Sequence, residues 1–207
     1  MYARTTTVQG NPAHVDDGIA FVRDEVMPAL QGMDGCIGVS MLVDRETGGV
    51  IVTSSWESRE AMRATETAIG PMRDRAQQVL SGGRPEVKEW DIAVLHRARP
   101  IPEGACARVT WTRIDPKVLD PMLAYFRMSV LPEIEQLPGF CSASLLVDHA
   151  TGLGALAAVY DSQAALDASR DAAMMLRSDA TSKMEAELID VAVFDVAVAH
   201  LRVPETV

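Results

Sequence analysis

The stretch GCIGVSMLVD at residues 35–44 returns 104 residues later as GFCSASLLVD at residues 139–148. The same shift aligns the rest of the chain without a gap, so that Arg4 corresponds to Arg108 and Thr6 to Thr110. Two unrelated segments would not keep one register over so many positions. The chain is therefore one unit, repeated in tandem.

Each copy carries the hydrophobic patterns of two helices and four strands. The second copy has an apolar stripe at three- and four-residue spacings, typical of a helix: Val118, Leu119, Met122, Leu123, Phe126 and Val130. Runs rich in β-branched residues on either side of a glycine-containing loop predict a hairpin. Ser58 and Ser162 are predicted helix N-caps. The order is β-α-β-β-α-β, the ferredoxin-like arrangement.

The strands are apolar on both alternating faces, as VAVFDVAV at residues 191–198 illustrates. A sheet with helices on one face only would leave its second face in water, whereas two such sheets packed together bury it. We therefore predict an α+β fold in which two ferredoxin-like βαββαβ units, residues 1–97 and 106–207, pack sheet to sheet as a pseudo-dimeric α/β barrel. Residues 98–105, with two prolines and a glycine, are predicted to be the linker.

Composition excludes several classes of partner. The chain has 207 residues, 48% hydrophobic and 23% charged, with a net charge of −10. Such an acidic chain is not expected to bind nucleic acid or an anionic membrane surface. Three cysteines without paired spacing predict a reducing, cytoplasmic location and no metal site. The expected state is a monomer with pseudo-two-fold symmetry or a homodimer.

The segments WESREA at residues 56–61 and YDSQAA at residues 160–165 resemble the antibiotic-biosynthesis-monooxygenase family of dimeric α/β barrels. The resemblance covers both units. It implies either oxidation of aromatic phenols by oxygen without metal or flavin, or haem degradation. The haem-degrading members have an Asn, a Trp and a His at three positions that here hold, in the two copies, Thr6 and Thr110, Thr65 and Ser169, and Asp74 and Ser178.

Without those residues, we expect no haem and no other cofactor. The prediction is a monooxygenase-like protein, in which a cofactor-independent oxygenase acts on a small aromatic or polyketide-like substrate. The alternative is a non-catalytic barrel that binds a small hydrophobic ligand or is purely structural. Whether the chain is an enzyme stays open at this point; if it is, it is a monooxygenase-type oxidoreductase.

His96 and His200 are repeated at the end of the last strand of each unit. A histidine titrates near neutral pH, so either could act as the general base that removes a phenolic or activated C–H proton. The alternative is a histidine hydrogen-bonded at the rim of the barrel. The remaining two histidines of the chain have no counterpart in the repeat, and we assign them no role.

Arg4 and Arg108 are repeated in the first strand of each unit. By the two-residue period of a strand, they share a face with Thr6 and Thr110. If that face lines a pocket, the arginine could stabilise an enolate, a phenolate or a carboxylate. The alternative is a structural ion pair with an aspartate of the last strand, Asp91 or Asp195 in the two copies.

Trp56 and Tyr160 end the hairpin of each copy, where they either stack on an aromatic ligand or fill the core. The strand before Tyr160 is rich in small residues, namely Gly154, Ala155, Ala157 and Ala158. They leave room that the first copy fills with larger side chains. We therefore predict that the two copies are not equivalent and that at most one of them forms a working pocket.

Overall fold

The structure is a computed structural model that describes residues 1–201. Its strands are β1 (Tyr2–Gln9), β2 (Cys36–Val43), β3 (Gly49–Trp56), β4 (Glu86–Arg97), β5 (Cys106–Arg113), β6 (Phe140–Asp148), β7 (Leu153–Tyr160) and β8 (Glu187–Leu201). Its α-helices are α1 (Val15–Phe21), α2 (Met27–Gln31), α3 (Arg59–Ala64), α4 (Glu66–Val79), α5 (Leu119–Tyr125), α6 (Leu131–Glu135), α7 (Gln163–Ala168) and α8 (Arg170–Lys183). Residues 98–105 lie between β4 and β5 and contain neither helix nor strand.

Hydrogen bonds connect the strands in the order β1-β3-β2-β8-β5-β7-β6-β4, which closes as a barrel. Within that order, β4-β1-β3-β2 and β8-β5-β7-β6 are two copies of the ferredoxin-like strand order. The predicted α+β fold of two such units in one closed barrel is confirmed. By contacts, the chain divides into one unit of Met1–Trp90 with the strand end from Phe194, and a second unit of Asp91–Val193.

The hairpin of the second unit is fixed by local hydrogen bonds. Asp148 accepts the N–H of Ala150 at 2.9 Å and the hydroxyl of Thr151 at 2.6 Å. The hydrogen bond from Thr151 lowers the pKa of the Asp148 carboxyl. Gly152 then turns the chain with a positive φ of 70°, which favours glycine. Together these contacts set the register in which Gly154 lies opposite Val147.

A proline interrupts the first helical run of each unit without ending it. Pro28 and Pro132 cannot donate the ladder hydrogen bond of a helix because they have no N–H. A π-helical turn precedes each proline, at Val22–Val26 and at Phe126–Val130, and the run then continues through α2 or α6. Turns of this kind are rare in proteins, and those that occur are often found at functional sites.

The second helical region of each unit begins at the predicted caps. Ser58 accepts the N–H of Ala61 at 3.0 Å, and Ser162 accepts the N–H of Ala165 at 3.2 Å. These bonds satisfy an N–H group that the first turn of the helix leaves without a partner. The caps direct α3 and α7 back across the sheet of their own unit. None of the helices within residues 1–201 is long and apolar enough to cross a membrane.

Candidate functional site

The second unit contains a partly open cavity of about 110 Å³ between its sheet and its helices. Most of the lining is apolar and comes from β6, β7, α5, α8 and the π-helical turn, with side chains such as Leu119, Leu123, Phe126, Leu145, Leu156 and Met184. The polar groups come mainly from β5 and α8. Protein interiors are packed as densely as organic crystals, so an apolar void of this size is a distinctive feature of the unit.

Small residues on β7 create the space. Gly154 and Ala158 line the cavity, whereas the neighbouring Ala155 and Ala157 do not, because successive side chains of a strand point to opposite faces. The first unit has Val50 in place of Gly154 and Trp56 in place of Tyr160, and both are fully buried. Larger buried side chains thus stand at the corresponding positions of the first unit.

Arg108 forms the polar end of the cavity. Its side chain is only 7% exposed and donates to the hydroxyl of Tyr160 at 3.1 Å, to Ser169 Oγ at 3.3 Å and to the carbonyl of Leu166 at 2.9 Å. The guanidinium lies 5.3 Å from the centre of the Tyr160 ring. Every one of these partners is neutral. No carboxylate of the described residues lies within 4.0 Å of Arg108, so its charge faces the cavity without a counter-ion.

A second cation, Arg177 of α8, lines the same cavity and is half-buried. Burial lowers its pKa, and the positive charge of Arg108 lowers the pKa further. Like Arg108, it has no acidic partner among residues 1–201. Two guanidinium groups that repel each other at the edge of an apolar cavity attract an anion.

In the first unit, the corresponding arginine is neutralised. Arg4 is 3% exposed, and its guanidinium lies 3.0 Å from Glu66 Oε2 and 3.2 Å from Glu89 Oε1. The predicted alternative, an ion pair with an aspartate of the last strand, is wrong in its partner. Asp91 instead accepts a hydrogen bond from His149 at 3.1 Å when that imidazole carries its proton on Nδ1. The partners of Arg4 are instead Glu89 of β4 and Glu66, the first residue of α4.

The remaining candidates of the first unit lie in packed surroundings. Trp56 is fully buried and donates its indole N–H to Ser54 Oγ at 3.0 Å. Thr6 is half-buried and lies opposite Val52 in the pairing of β1 with β3. In the second unit, by contrast, the structure brings Arg108, Thr110 and Tyr160 together around the cavity.

Neither repeated histidine lines that cavity. The ring of His96 stacks on Phe140 at 6.2 Å between ring centres, and its Nε2 lies 3.4 Å from a carboxylate oxygen of Glu135. His200 belongs to the second copy in the sequence, but it lies on the end of β8 that is grouped by contacts with the first unit, where it is paired with Val39 of β2. A catalytic role for either histidine stays a prediction, and a base acting at the cavity would have to come from the ligand or from solvent.

Within residues 1–201, the metal-ligating side chains and the cysteine thiols do not form a further site. No group of three or more histidine, cysteine, aspartate or glutamate side chains within residues 1–201 is arranged to hold a metal ion. Burial raises the pKa of the Cys36 and Cys141 thiols, which disfavours the reactive thiolate. The cavity therefore offers apolar surface, hydroxyls and two guanidinium groups.

Arg177 was not identified as a site residue from the sequence, although the repeat contains an indication of it. The shift that aligns Arg4 with Arg108 also aligns Arg73 with Arg177, so this arginine is repeated as well. Its position on a helix, without a neighbouring motif, gave no reason to place it beside the first strand. Both β5 and α8 line the same cavity, which brings the two arginines to one site.

The first part of the chain, residues 1–67, matches the family model of the antibiotic biosynthesis monooxygenases. Rv2558 of Mycobacterium tuberculosis H37Rv is 53% identical over 208 residues, which cover 100% of this chain and 88% of that protein. A candidate monooxygenase from Fusobacterium nucleatum has the same fold, with a TM-score of 0.71 at 12% identity over 97% of this chain and 94% of that one. An anthrone oxidase-like protein has a TM-score of 0.66 at 14% identity, over 97% of this chain and 91% of that one. The chain therefore belongs to the same family as Rv2558, and in sequence and fold it resembles the antibiotic biosynthesis monooxygenases.

Proposed function

We propose that the protein binds a small, ring-sized apolar molecule in the cavity of its second unit. The cavity itself carries this proposal. An engineered apolar cavity of roughly 150 Å³ binds benzene in another protein, and the cavity here is about 110 Å³. The size therefore suits one aromatic ring, with any larger part of the molecule reaching toward the opening.

The polar end of the cavity orients the bound molecule. Ligand sites combine a mostly apolar lining with a few polar groups that fix one orientation. Here those groups are the guanidinium of Arg108, the hydroxyl of Tyr160 and the hydroxyl of Thr110. An oxygen of the ligand placed at this end accepts hydrogen bonds from Arg108, while the ring contacts the leucines.

Filling the cavity should weaken binding. Gly154→Val copies Val50 of the first unit and places two methyl groups in the space a ring would occupy. A Cβ at Gly154 would meet Thr112 Oγ1 at 3.3 Å and Leu145 Cδ1 at 3.9 Å, so the strand can accept it with small shifts. We expect affinity for the neutral probe 3-phenylpropanamide, measured by calorimetry, to fall about tenfold or more.

The matched control is Ala157→Thr, which copies Thr53 of the first unit. It changes the same strand but points to the opposite face, away from the cavity. This variant should bind the probe like the wild type. Equal binding by the Gly154→Val variant and the wild type would place the probe elsewhere and contradict the proposal.

Turnover of the bound molecule is a second candidate function, favoured by the uncompensated charge of Arg108. A nearby cation favours the ionised form of a phenol, and the phenolate is the electron-rich form that reacts with oxygen. The anthrone oxidase-like relative supports an aromatic substrate of this kind. One oxygen atom would enter the ring and the other would leave as water, so that phenol and oxygen give quinone and water, and the substrate supplies every electron.

An oxygen electrode tests this candidate with 1-naphthol as the substrate. We expect saturable oxygen consumption, one molecule for each naphthoquinone formed, and a loss of about a hundredfold in rate for Arg108→Met. The circular dichroism spectrum and urea unfolding of that variant control for its folding. Oxygen consumption no faster than in protein-free buffer would remove the oxygenase and leave the binding function.

A further inference from the structure

The first unit contains an internal example of an anion held by the repeated arginines. The carboxylate of Glu66 bridges them: its Oε2 lies 3.0 Å from an Arg4 nitrogen and 3.0 Å from Arg73 Nη2. The hydrogen bond from Arg73 is the largest influence that lowers the pKa of Glu66, and the charges of both arginines lower it further. The pair thus binds one planar carboxylate between two guanidinium groups, a geometry that both partners favour.

The second unit keeps both arginines and lacks both acids. Arg108 and Arg177 correspond to Arg4 and Arg73, whereas Glu66 is replaced by Arg170 and Glu89 by Val193. Burying a charge without a partner is costly, so such an arrangement is unfavourable for stability alone. Burial lowers the pKa of Arg177, and the positive charge of Arg108 lowers it further, which is the local sign of this repulsion.

We infer that the second unit recognises the carboxylate of a small apolar acid. The carboxylate occupies the position that Glu66 holds in the first unit, between Arg108 and Arg177, and the apolar body lies in the adjoining cavity. This inference rests on the proposed binding function and adds the chemical class of the ligand. It also explains why the acids are missing in only one copy, the copy that has the cavity.

The side chain at position 170 gives a direct test. Arg170 is 71% exposed and pairs with Asp167 at 2.8 Å. Arg170→Glu restores the glutamate of the first unit and should place an internal carboxylate between Arg108 and Arg177. A glutamate in the first turn of α8 also suits the helix dipole, so the variant is expected to fold.

The experiment compares 3-phenylpropionate with its neutral amide, 3-phenylpropanamide, by calorimetry on the wild type, Arg170→Glu and Arg170→Gln. We expect the wild type to bind the acid about tenfold or more tightly than the amide, and Arg170→Glu to remove that preference. Arg170→Gln changes the charge without supplying a carboxylate and should keep the preference. Unchanged amide binding in all three proteins shows that the cavity is intact.

Three results would overturn the inference. Equal affinity of the wild type for acid and amide would show that the arginines do not select a carboxylate, while the proposed binding function stands. An acid preference that survives in Arg170→Glu would place the carboxylate elsewhere. Absence of binding by either probe to the wild type would refute the proposed function, and the inference would fall with it.

Discussion

Truncation of Trp56 to alanine is expected to destabilise the protein by about 3–5 kcal/mol, because a fully buried aromatic side chain leaves a cavity that its surroundings cannot close. Trp56 is 0% exposed and lies in the core of the first unit with Met41, Val39 and Met62. The substitution also removes the donor to Ser54 Oγ, at 3.0 Å, which leaves that buried hydroxyl short of a partner. Urea unfolding followed by circular dichroism measures the loss.

Trp56→Phe separates packing from hydrogen bonding in the same position. It keeps most of the ring volume and removes the indole N–H, so we expect a loss of about 1–3 kcal/mol, smaller than that of the alanine variant. A loss below about 1 kcal/mol for Trp56→Ala would show that the first unit is not as tightly filled as its burial indicates.

Two glycines of the second hairpin should respond in opposite ways to the same added methyl group. At Gly152, φ is 70°, and a Cβ would lie 1.8 Å from the carbonyl oxygen of Ile114, a backbone atom that cannot move aside. The left-handed conformation and the clash together predict a loss of about 3 kcal/mol or more for Gly152→Ala. The midpoint of urea unfolding reports this change.

Gly154→Ala is the matched control, two residues along the same chain segment. Gly154 does not have a left-handed φ, and its nearest neighbour, Thr112 Oγ1, would be 3.3 Å from the new carbon. Alanine restricts the unfolded chain more than glycine does, so the variant should be neutral or more stable by about 0.5–1 kcal/mol. Similar losses for both variants would contradict the role of φ and of the contact with Ile114.

The architecture could be predicted from the sequence because each pattern that indicates a helix, a strand or a cap occurs in both copies of the repeat. A single helical stripe or a single Ser N-cap is weak, but the same pattern at Ser58 and Ser162 is strong. The room left by Gly154 and Ala158 was also visible in the sequence, since both lie on one face of a strand. The structure was needed only to show which side of the sheet these two residues face.

The charge partners of the site arginines could not be predicted from the sequence in the same way. Arg108 was a candidate from its repeat, but its lack of an acidic partner became meaningful only when the structure showed that Glu66 of α4 and Glu89 of β4 neutralise Arg4. Glu66 and Glu89 are distant from Arg4 in the chain and carry no motif, so their contacts with Arg4 become visible only in three dimensions. The histidines show the converse: His96 is repeated and chemically suited to catalysis, yet packing places it against Phe140, away from the cavity.

In the first unit, the carboxylate of Glu66 permanently fills the position between the two arginines, whereas in the second unit we propose that a bound ligand supplies that carboxylate. Duplication thereby separates two duties that a single copy would have to combine. One copy, filled and charge-matched, sustains folding whatever solutes surround the protein, and substitutions there are mostly harmful. The other copy can change its preference for one compound over another by altering β7 and α8, within the margin of stability that the chain can lose. New specificities can therefore arise in one half of the gene while the other half preserves the fold.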